Sequence, residues 1–210
     1  MSKITELFAA VEKGKSKLVP GLVQECVDEG NAPIDILNKG MIDAMSSVGE
    51  KFKAGEIFVP EMLVAARAMK KGVEVLKPHL GGDNSHKIGK MIMGTVYGDL
   101  HDIGKNLVIM MIESAGYEVV DLGIDVPVEA FVEAANDPEV TVVGVSALLT
   151  TTMPAMQETV AALNGHPRRG EFKIMVGGAP ITQDFANEIG ADIYTEDAAS
   201  AGQAAKALVS

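Results

Sequence analysis

The sequence predicts an α/β protein in two domains, a four-helix bundle over residues 1–82 and a five-stranded parallel sheet with helices on both faces over residues 88–210. Apolar residues recur every three or four positions in the first 80 residues, and short apolar runs alternate with helical segments beyond residue 88. Residues 81–85, Gly-Gly-Asp-Asn-Ser, interrupt both patterns. Their composition is typical of a flexible linker, so we place the domain boundary there.

Four helices are predicted in the first domain. The shorter two fit residues 4–11 and 18–27, and Gly30 follows the second as a C-terminal stop. Pro33 and Pro60 fall where the first turn of a helix tolerates proline. The longer two helices each carry an apolar stripe on one face, formed by Leu37, Met41, Met45, Val48 and Phe52 and by Met62, Ala66, Met69, Val73 and Leu76. Each stripe needs the others for burial, which indicates a bundle.

Short β-rich runs and helical segments alternate five times in the second domain. The predicted strands are 90–96, 118–122, 141–147, 173–176 and 192–194. The predicted helices are 103–115, 128–135, 153–163, 182–189 and 198–208. Strands joined by helices form a parallel sheet covered on both faces. We therefore expect a Rossmann-like or flavodoxin-like fold.

Composition excludes several classes of function. The 210 residues are 47% hydrophobic and 22% charged, which is typical of a folded globular protein. The net charge of -11 argues against DNA or RNA as a partner, because nucleic-acid binding depends on clustered Lys and Arg. No run of 18 apolar residues predicts a membrane span, and the first six residues lack the apolar stretch of a signal peptide, so we expect a cytoplasmic protein. The single cysteine, Cys26, excludes an internal disulfide, and we interpret it as a packing residue.

Ligands of open parallel sheets bind beyond the carboxyl ends of the strands, where the strand order reverses. For the order 2-1-3-4-5 this crevice lies between the first and third strands. The loop after the first strand, residues 97–104, reads Tyr-Gly-Asp-Leu-His-Asp-Ile-Gly, and the third strand ends in Val-Ser-Ala-Leu at residues 145–148. The unusual polar residues of the second domain therefore lie at the predicted crevice.

The residues of the first loop limit the classes of ligand that it can bind. Asp99 and Asp102 would repel the phosphate of a flavin or dinucleotide, and Ser146 occupies the place where a receiver domain needs its acceptor aspartate. What remains is His101 flanked by carboxylates, and a carboxylate on one ring nitrogen fixes the tautomer of a metal-ligating imidazole. A solvated histidine is the alternative. The other three histidines suggest no cluster, and one imidazole suffices only for a metal already held in a macrocycle.

Three motifs in order resemble those of cobalamin-binding domains. Residues 99–104 match Asp-x-His-x-x-Gly, residues 146–148 match Ser-x-Leu, and residues 177–178 match Gly-Gly. The helical region is similar to the cap domain that lies beside cobalamin in methionine synthase and in corrinoid proteins of anaerobic methyltransferase systems. The resemblance therefore covers nearly the whole chain.

The resemblance implies a role for each motif residue. His101 corresponds to the lower axial ligand of the cobalt, Asp99 to its hydrogen-bonded partner and Thr152 to a hydroxyl that bonds to this aspartate. The nucleotide tail would enter a narrow pocket beside the sheet, although an ordinary strand-to-helix turn would also explain the glycine pair. The remaining contacts expected with the cofactor are from Asp102, Ile103, Gly104, Ser146, Leu148, Thr150, Gly177 and Gly178.

The helical domain would supply a lid. By resemblance, Phe52 and Val59 would cover the upper, methyl-bearing face of the corrin, with Phe58 and Met62 beside them. The alternative is that these residues are bundle core. An apolar lid suits a reduced cobalt because it excludes water and oxidants and can lift for partners.

The implied function is methyl transfer on cobalamin, which would alternate between cob(I)alamin and methylcobalamin. The implied partners are a substrate-specific methyltransferase, a second methyltransferase that serves tetrahydrofolate or a thiol, and a reductive activase. Methylamines, methanol, aromatic methyl ethers and betaines all stay open as methyl donors. Two alternatives share the motifs: the cofactor subunit of an adenosylcobalamin-dependent mutase, which is not expected to have the helical cap, and a cobalamin-dependent sensor with an added DNA-binding module.

Overall fold

The computed structural model describes residues 2–80 and 87–208, so the predicted linker at residues 81–85 lies outside the described residues. The chain divides into two compact units. The helical unit is Met1–Lys87 with Ser114–Gly116, and the sheet unit is Ile88–Glu113 with Tyr117–Ser210.

Within the described residues 2–80, the helical unit contains five α-helices. Their bounds are α1 Lys3–Glu12, α2 Val19–Asp28, α3 Pro33–Leu37, α4 Asp43–Lys53 and α5 Val59–Leu76. Short-range signals set the ends: Ser2 accepts a hydrogen bond from the Thr5 amide before α1, and the Glu61 side chain accepts one from the Phe58 amide before α5. Pro33 and Pro60 lie in first turns, as predicted.

The third predicted helix is interrupted. Between α3 and α4 the chain makes a turn of π-helix over Asn38–Ile42. A Cβ at Gly40 within this turn would lie 2.7 Å from Cδ2 of Leu7, so the glycine permits close packing against α1. The apolar stripe survives the interruption, because Met41, Met45 and Val48 are all buried.

Buried side chains of the helices form the core of this unit. The largest fully buried side chains are Leu7, Ile36, Met41, Met45, Met62 and Leu76. Cys26 is also fully buried, which confirms its interpretation as a packing residue, and burial raises the pKa of its thiol.

The sheet unit has five parallel strands in the order β2-β1-β3-β4-β5, which confirms the predicted fold class and strand order. The strands are β1 Lys90–Val96, β2 Glu118–Val126, β3 Val140–Ser146, β4 Lys173–Gly177 and β5 Ile193–Tyr194. The helices are α6 Ile103–Ser114, α7 Val128–Ala134, α8 Met153–Asn164, α9 Gln183–Ile189 and α10 Ala198–Ala207.

Strand β2 is longer than predicted. The sequence pattern ends at Leu122, whereas the strand continues to Val126. Its pairing with β1 shifts register after Met93 and again after Gly94, and both Gly123 and Asp125 have positive φ angles, of 93° and 52°. These irregularities hide the strand from a reading of alternating polarity, because a bulge changes which face each side chain occupies.

Apolar cores lie on both faces of the sheet. Phe131 of α7 and Met156 of α8 belong to one core, and Ile112 of α6 and Ala201 of α10 belong to the other. Strands β1, β3 and β4 are therefore largely buried on both sides, as their continuous apolar runs predicted, whereas the edge strands β2 and β5 are more exposed. Across residues 2–80 and 87–208, every helix is too short or too polar to traverse a lipid bilayer.

Candidate functional site

The loop between β1 and α6 lies at the carboxyl edge of the sheet, beside the end of β3. Thr95 pairs with Ser146 at the last step of the β1–β3 ladder. A turn follows at once, in which the Asp99 amide donates to the Val96 carbonyl at 3.1 Å and Gly98 has a φ of 79°. The loop therefore points over the end of β3, as the topology predicted.

Asp99 is fully buried and accepts four hydrogen bonds. Its Oδ1 lies 2.8 Å from His101 Nδ1 and 3.1 Å from the His101 amide nitrogen. Its Oδ2 accepts from the Leu148 amide at 2.7 Å and from the Thr152 hydroxyl at 2.8 Å. The carboxylate thus joins the loop after β1 to the segment after β3.

Burial raises the pKa of Asp99, but the hydrogen bonds from the Leu148 amide, the His101 ring, the Thr152 hydroxyl and the His101 amide outweigh it. The pKa is held at about 2, below its ordinary value of 3.8. An ionised carboxylate can only accept, so the proton between the two side chains belongs to His101 Nδ1. The lone pair of His101 is then on Nε2, and the side chain is 49% exposed.

The backbone of His101 is fixed as well. Thr95, which is fully buried, donates its hydroxyl to the His101 carbonyl at 3.0 Å. The Leu149 carbonyl lies 2.9 Å from the Thr152 hydroxyl and shares its single proton with Asp99. Hydrogen bonds therefore hold both the ring and the backbone of His101 in place, an arrangement that is common for metal-ligating histidines.

Large exposed apolar side chains lie in the same loops as His101 and the partners of Asp99. They follow β1 and β3 at the same edge of the sheet and are between 40% and 78% exposed: Tyr97, Leu100, Ile103, Leu148 and Leu149. Five large apolar residues exposed in two adjacent loops are consistent with a surface that a ligand covers. Ile103 and Leu148 were among the residues predicted from the sequence to contact the cofactor, and the other three were not. The sequence signal that could have indicated these three is their position as apolar residues inside loops.

Among the described residues, no group of three or more His, Cys, Asp or Glu side chains is placed to hold a metal ion. Asp102 does not join Asp99 at the imidazole. Its carboxylate accepts from Asn106 at 3.1 Å, and its carbonyl accepts the Asn106 amide at 2.8 Å, so it begins α6.

Comparison with known proteins identifies the family. Residues 89–204 match the family described as B12 binding domain, and residues 3–77 match a second family of the same description. The chain belongs to the family of B12-binding corrinoid proteins. Its cofactor is cobalamin, as predicted.

Similar proteins extend over nearly the full chain. Dimethylamine corrinoid protein 1 of Methanosarcina acetivorans is 43% identical over 97% of this chain and 90% of its own length. Trimethylamine corrinoid protein 1 of Methanosarcina mazei is 41% identical over 95% of this chain and 94% of its own. In the methanol:cobalamin methyltransferase complex of Methanosarcina barkeri, the matching chain superimposes with a TM-score of 0.84 at 32% identity, covering 99% of this corrinoid protein and 79% of that chain.

The glycines of the corrinoid protein test whether its site suits cobalamin. Gly104 is exposed, and a Cβ there would meet nothing within 4 Å, so the chain itself does not require glycine at this position. A Cβ at Gly178, in contrast, would lie 1.8 Å from the Ala147 carbonyl oxygen, and its φ is 134°. Packing within the protein therefore explains Gly178, whereas the space at Gly104 fits the approach of a ligand.

The remaining predicted contacts fall at the same edge. Ser146 pairs with Gly177 in the β3–β4 ladder, and the Ala147 amide donates to the Gly177 carbonyl at 3.2 Å. Thr150 is exposed in the short turn that precedes α8. The Nε2 atom of His101, the exposed apolar residues and the open space at Gly104 together fit a flat macrocycle whose metal is bound by one imidazole.

The predicted lid residues belong to the helical unit. Phe52 and Val59 are partly buried, and Met62 is 1% exposed. Phe58, which precedes α5, is 67% exposed and offers the largest apolar surface of the group. Met62 thus has the burial of a core residue, and the covering role of Phe52 and Val59 stays a prediction.

Proposed function

We propose that this corrinoid protein is a methyl carrier in which His101 Nε2 is the lower axial ligand of the cobalt. The observation that carries the proposal is the buried carboxylate of Asp99, which holds the proton on Nδ1 and leaves Nε2 on a half-exposed ring. Bound cobalamin supplies a cobalt centre that can accept a methyl group and give it up again.

The residues of the chain have distinct tasks in this proposal. His101 holds the cofactor from below, and Asp99 fixes the tautomer and orientation of its ring. Thr152 donates to Asp99 at 2.8 Å, so the hydroxyl adjusts how much negative charge the imidazole experiences. The hydrogen bond between His101 Nδ1 and Asp99 Oδ1 would set how strongly Nε2 donates to a bound metal.

Partner enzymes would choose the methyl donor. The relatives are named for dimethylamine and trimethylamine, and the solved complex is one for methanol, although their chains align over nearly the full length of this one. We infer that a methyltransferase specific for a small methylated amine or alcohol loads this protein. A second methyltransferase, for tetrahydrofolate or a thiol, would unload it, and a reductive activase would restore the cofactor. The match of residues 3–77 to a B12 binding domain weighs against the mutase subunit, which is not expected to have a helical cap.

Ligation by His101 is tested by the visible spectrum of the protein after reconstitution with methylcobalamin. We expect His101→Ala to shift the absorption bands away from those of the wild type, because Nε2 no longer reaches the cobalt. His79→Ala is the matched control, since His79 is an exposed histidine of the helical unit. Identical spectra for wild type and His101→Ala would contradict the ligand assignment.

The carrier role has a separate test. The wild type in its reduced, cobalamin-loaded form is mixed with a purified dimethylamine, trimethylamine or methanol methyltransferase and the corresponding donor. We expect the spectrum of the methylated form to appear with one of these pairs and not in the absence of enzyme. If no pair methylates a protein that binds cobalamin through His101, the proposed donor class is wrong.

A further inference from the structure

The carboxyl end of β2 has an irregular backbone close to the proposed ligand. Asp125 has a φ of 52° and is the one non-glycine residue with positive φ in the described part of the chain. A left-handed conformation is unfavourable for a non-glycine residue, and aspartate is among the few that tolerate it. Such strain persists where the surrounding structure depends on it.

Asp125 makes two hydrogen bonds with the loop that carries His101. Its Oδ1 accepts from the Gly98 amide at 2.7 Å, and its own amide donates to the Asp99 carbonyl at 3.0 Å. One residue of β2 thus fixes the backbone on both sides of the Gly98–Asp99 peptide bond. The side chain of Asp99 is fixed from the other direction, by Leu148 and Thr152 beyond β3.

The bulge that orients Asp125 is held from helix α6. Lys105, which is 2% exposed, forms an ion pair with Asp121, and Asp121 Oδ1 also accepts from the Gly123 amide at 2.8 Å. Gly123 supplies the first of the two left-handed positions that turn the Asp125 carboxylate toward Gly98. The irregularity of β2 is therefore stabilised on both sides and is a defined feature of the fold.

We propose that Asp125 is a positioning residue for His101. The inference rests on the proposed function, because it concerns the orientation of the same imidazole. The ring direction depends on Oδ1 of Asp99, and the place of Asp99 depends on a peptide bond that Asp125 holds. Loss of the Asp125 carboxylate should weaken the hydrogen bond between His101 Nδ1 and Asp99 Oδ1, although His101 itself is unchanged.

The test uses the full-length protein without cofactor, at pH 8, and measures the ¹⁵N chemical shifts of the His101 ring, which report the proton on Nδ1 or Nε2. In Asp125→Gly, which retains freedom for positive φ, we expect the ratio of the Nδ1–H to the Nε2–H tautomer to fall about fivefold, the value of one net hydrogen bond. In Asp125→Asn, whose neutral oxygen can still accept from Gly98, we expect a fall of about twofold.

Asp137→Gly is the matched control. Asp137 also accepts an amide hydrogen bond, from Glu139 at 2.9 Å, but it precedes β3 at the opposite edge of the sheet. The control should leave the His101 tautomer ratio unchanged. A folded Asp125→Gly with the ratio of the wild type overturns the proposal. If that variant does not fold, Asp125→Asn decides, and a ratio equal to the wild type again overturns it.

A second measurement separates this inference from the proposed function. With methylcobalamin bound, we expect the fraction of protein that shows the His101-dependent spectrum to fall in the order wild type, Asp125→Asn, Asp125→Gly. If wild type and His101→Ala have identical spectra, the proposed function fails. The tautomer ratio, measured without cofactor, still decides whether Asp125 positions the ring.

Discussion

The two edges of the sheet use their polar side chains in different ways. At the amino edge, where the strands begin, Lys90 bonds to Asp137 at 2.6 Å, and Arg168 donates to backbone carbonyls of the segment between α7 and β3. At the carboxyl edge, where the strands end, the bonds around Asp99 leave Nε2 of His101 directed away from its partner. Polar groups connect parts of the fold at both edges, and those at the carboxyl edge also present one ring atom for binding.

Apolar side chains follow the same division. The five exposed apolar residues around His101 all follow β1 or β3 at the carboxyl edge. At the amino edge Phe172 is buried, next to the ring of His166 and the guanidinium of Arg169. Stability depends on packing and hydrogen bonds at both edges, whereas the proposed ligand-binding residues lie at the carboxyl edge. Substitutions at the amino edge should therefore have little effect on ligand binding.

The largest expected effects come from a pair of glycines. Gly178→Ala should lower the free energy of unfolding by more than about 4 kcal/mol, because the new Cβ meets the Ala147 carbonyl and φ is 134°. Gly104→Ala should leave stability unchanged or raise it by up to about 1 kcal/mol, since alanine favours helix. Its cost should appear as an affinity for cobalamin lowered about tenfold.

Urea unfolding of the cofactor-free protein and titration with cobalamin measure the two quantities of this glycine pair. The separation would break down if Gly104→Ala unfolded as readily as Gly178→Ala. It would also break down if Gly104→Ala bound cobalamin as tightly as the wild type.

Arg168→Ala should have the next largest effect. The guanidinium donates to the carbonyls of Ala135, Asp137 and Pro138, so its loss leaves three acceptors without this donor. We expect the free energy of unfolding to fall by about 3 kcal/mol while the methylcobalamin spectrum stays that of the wild type. Lys173→Ala is the control, because Lys173 is largely exposed and lies 3.9 Å from Asp192, and it should change stability by less than about 0.5 kcal/mol. A changed spectrum in Arg168→Ala would show that the two edges are coupled.

Two buried threonines sharpen the comparison at smaller scale. Thr152→Val removes a hydroxyl that donates to Asp99, and Thr159→Val removes one that donates to the Ala155 carbonyl within α8. Each should cost about 1 kcal/mol of stability, the net value of one hydrogen bond. The spectrum of the methylcobalamin-loaded protein should change in Thr152→Val alone, because only that hydroxyl reaches the partner of His101. Equal spectra for the two variants would argue against a role for Thr152 beyond packing.

Periodicity and motif spacing sufficed to predict the fold class, the strand order and the edge of the sheet at which the motif residues lie. Their success has a physical basis, since buried parallel strands are continuous apolar runs and topology places the ends of β1 and β3 side by side. The π-helical turn at Gly40 and the bulge of β2 were not predicted, because both depend on tertiary contacts, with Leu7 in one case and Lys105 in the other.

Sequence reasoning was weaker at assigning reasons to residues within the site. It left two reasons for the glycine pair open, a closely approaching ligand and an ordinary strand-to-helix turn, and the structure shows the Ala147 backbone in the space that a side chain at Gly178 would occupy. It passed over Asp125, because an exposed aspartate in a strand has no local signature of a positive φ. A hydrogen bond between residues 27 positions apart, such as that of Gly98 with Asp125, becomes visible only in three dimensions.

The smallest effect concerns pH at the amino edge. The hydrogen bond from Lys90, and then that from the Glu139 amide, hold the pKa of Asp137 below its ordinary value of 3.8, and the same pairing raises the pKa of Lys90. A lowered carboxyl pKa contributes stability that is complete above the ordinary value and is lost as the pH falls through the folded value. The difference in urea midpoint between wild type and Asp137→Asn should therefore be constant from about pH 5 to pH 9 and should shrink below about pH 4. For Lys90→Met, which removes the other partner, the difference in urea midpoint from the wild type should shrink in the same pH range. If either difference is undiminished at pH 2.5, the Lys90–Asp137 pair contributes nothing to the pH dependence of stability.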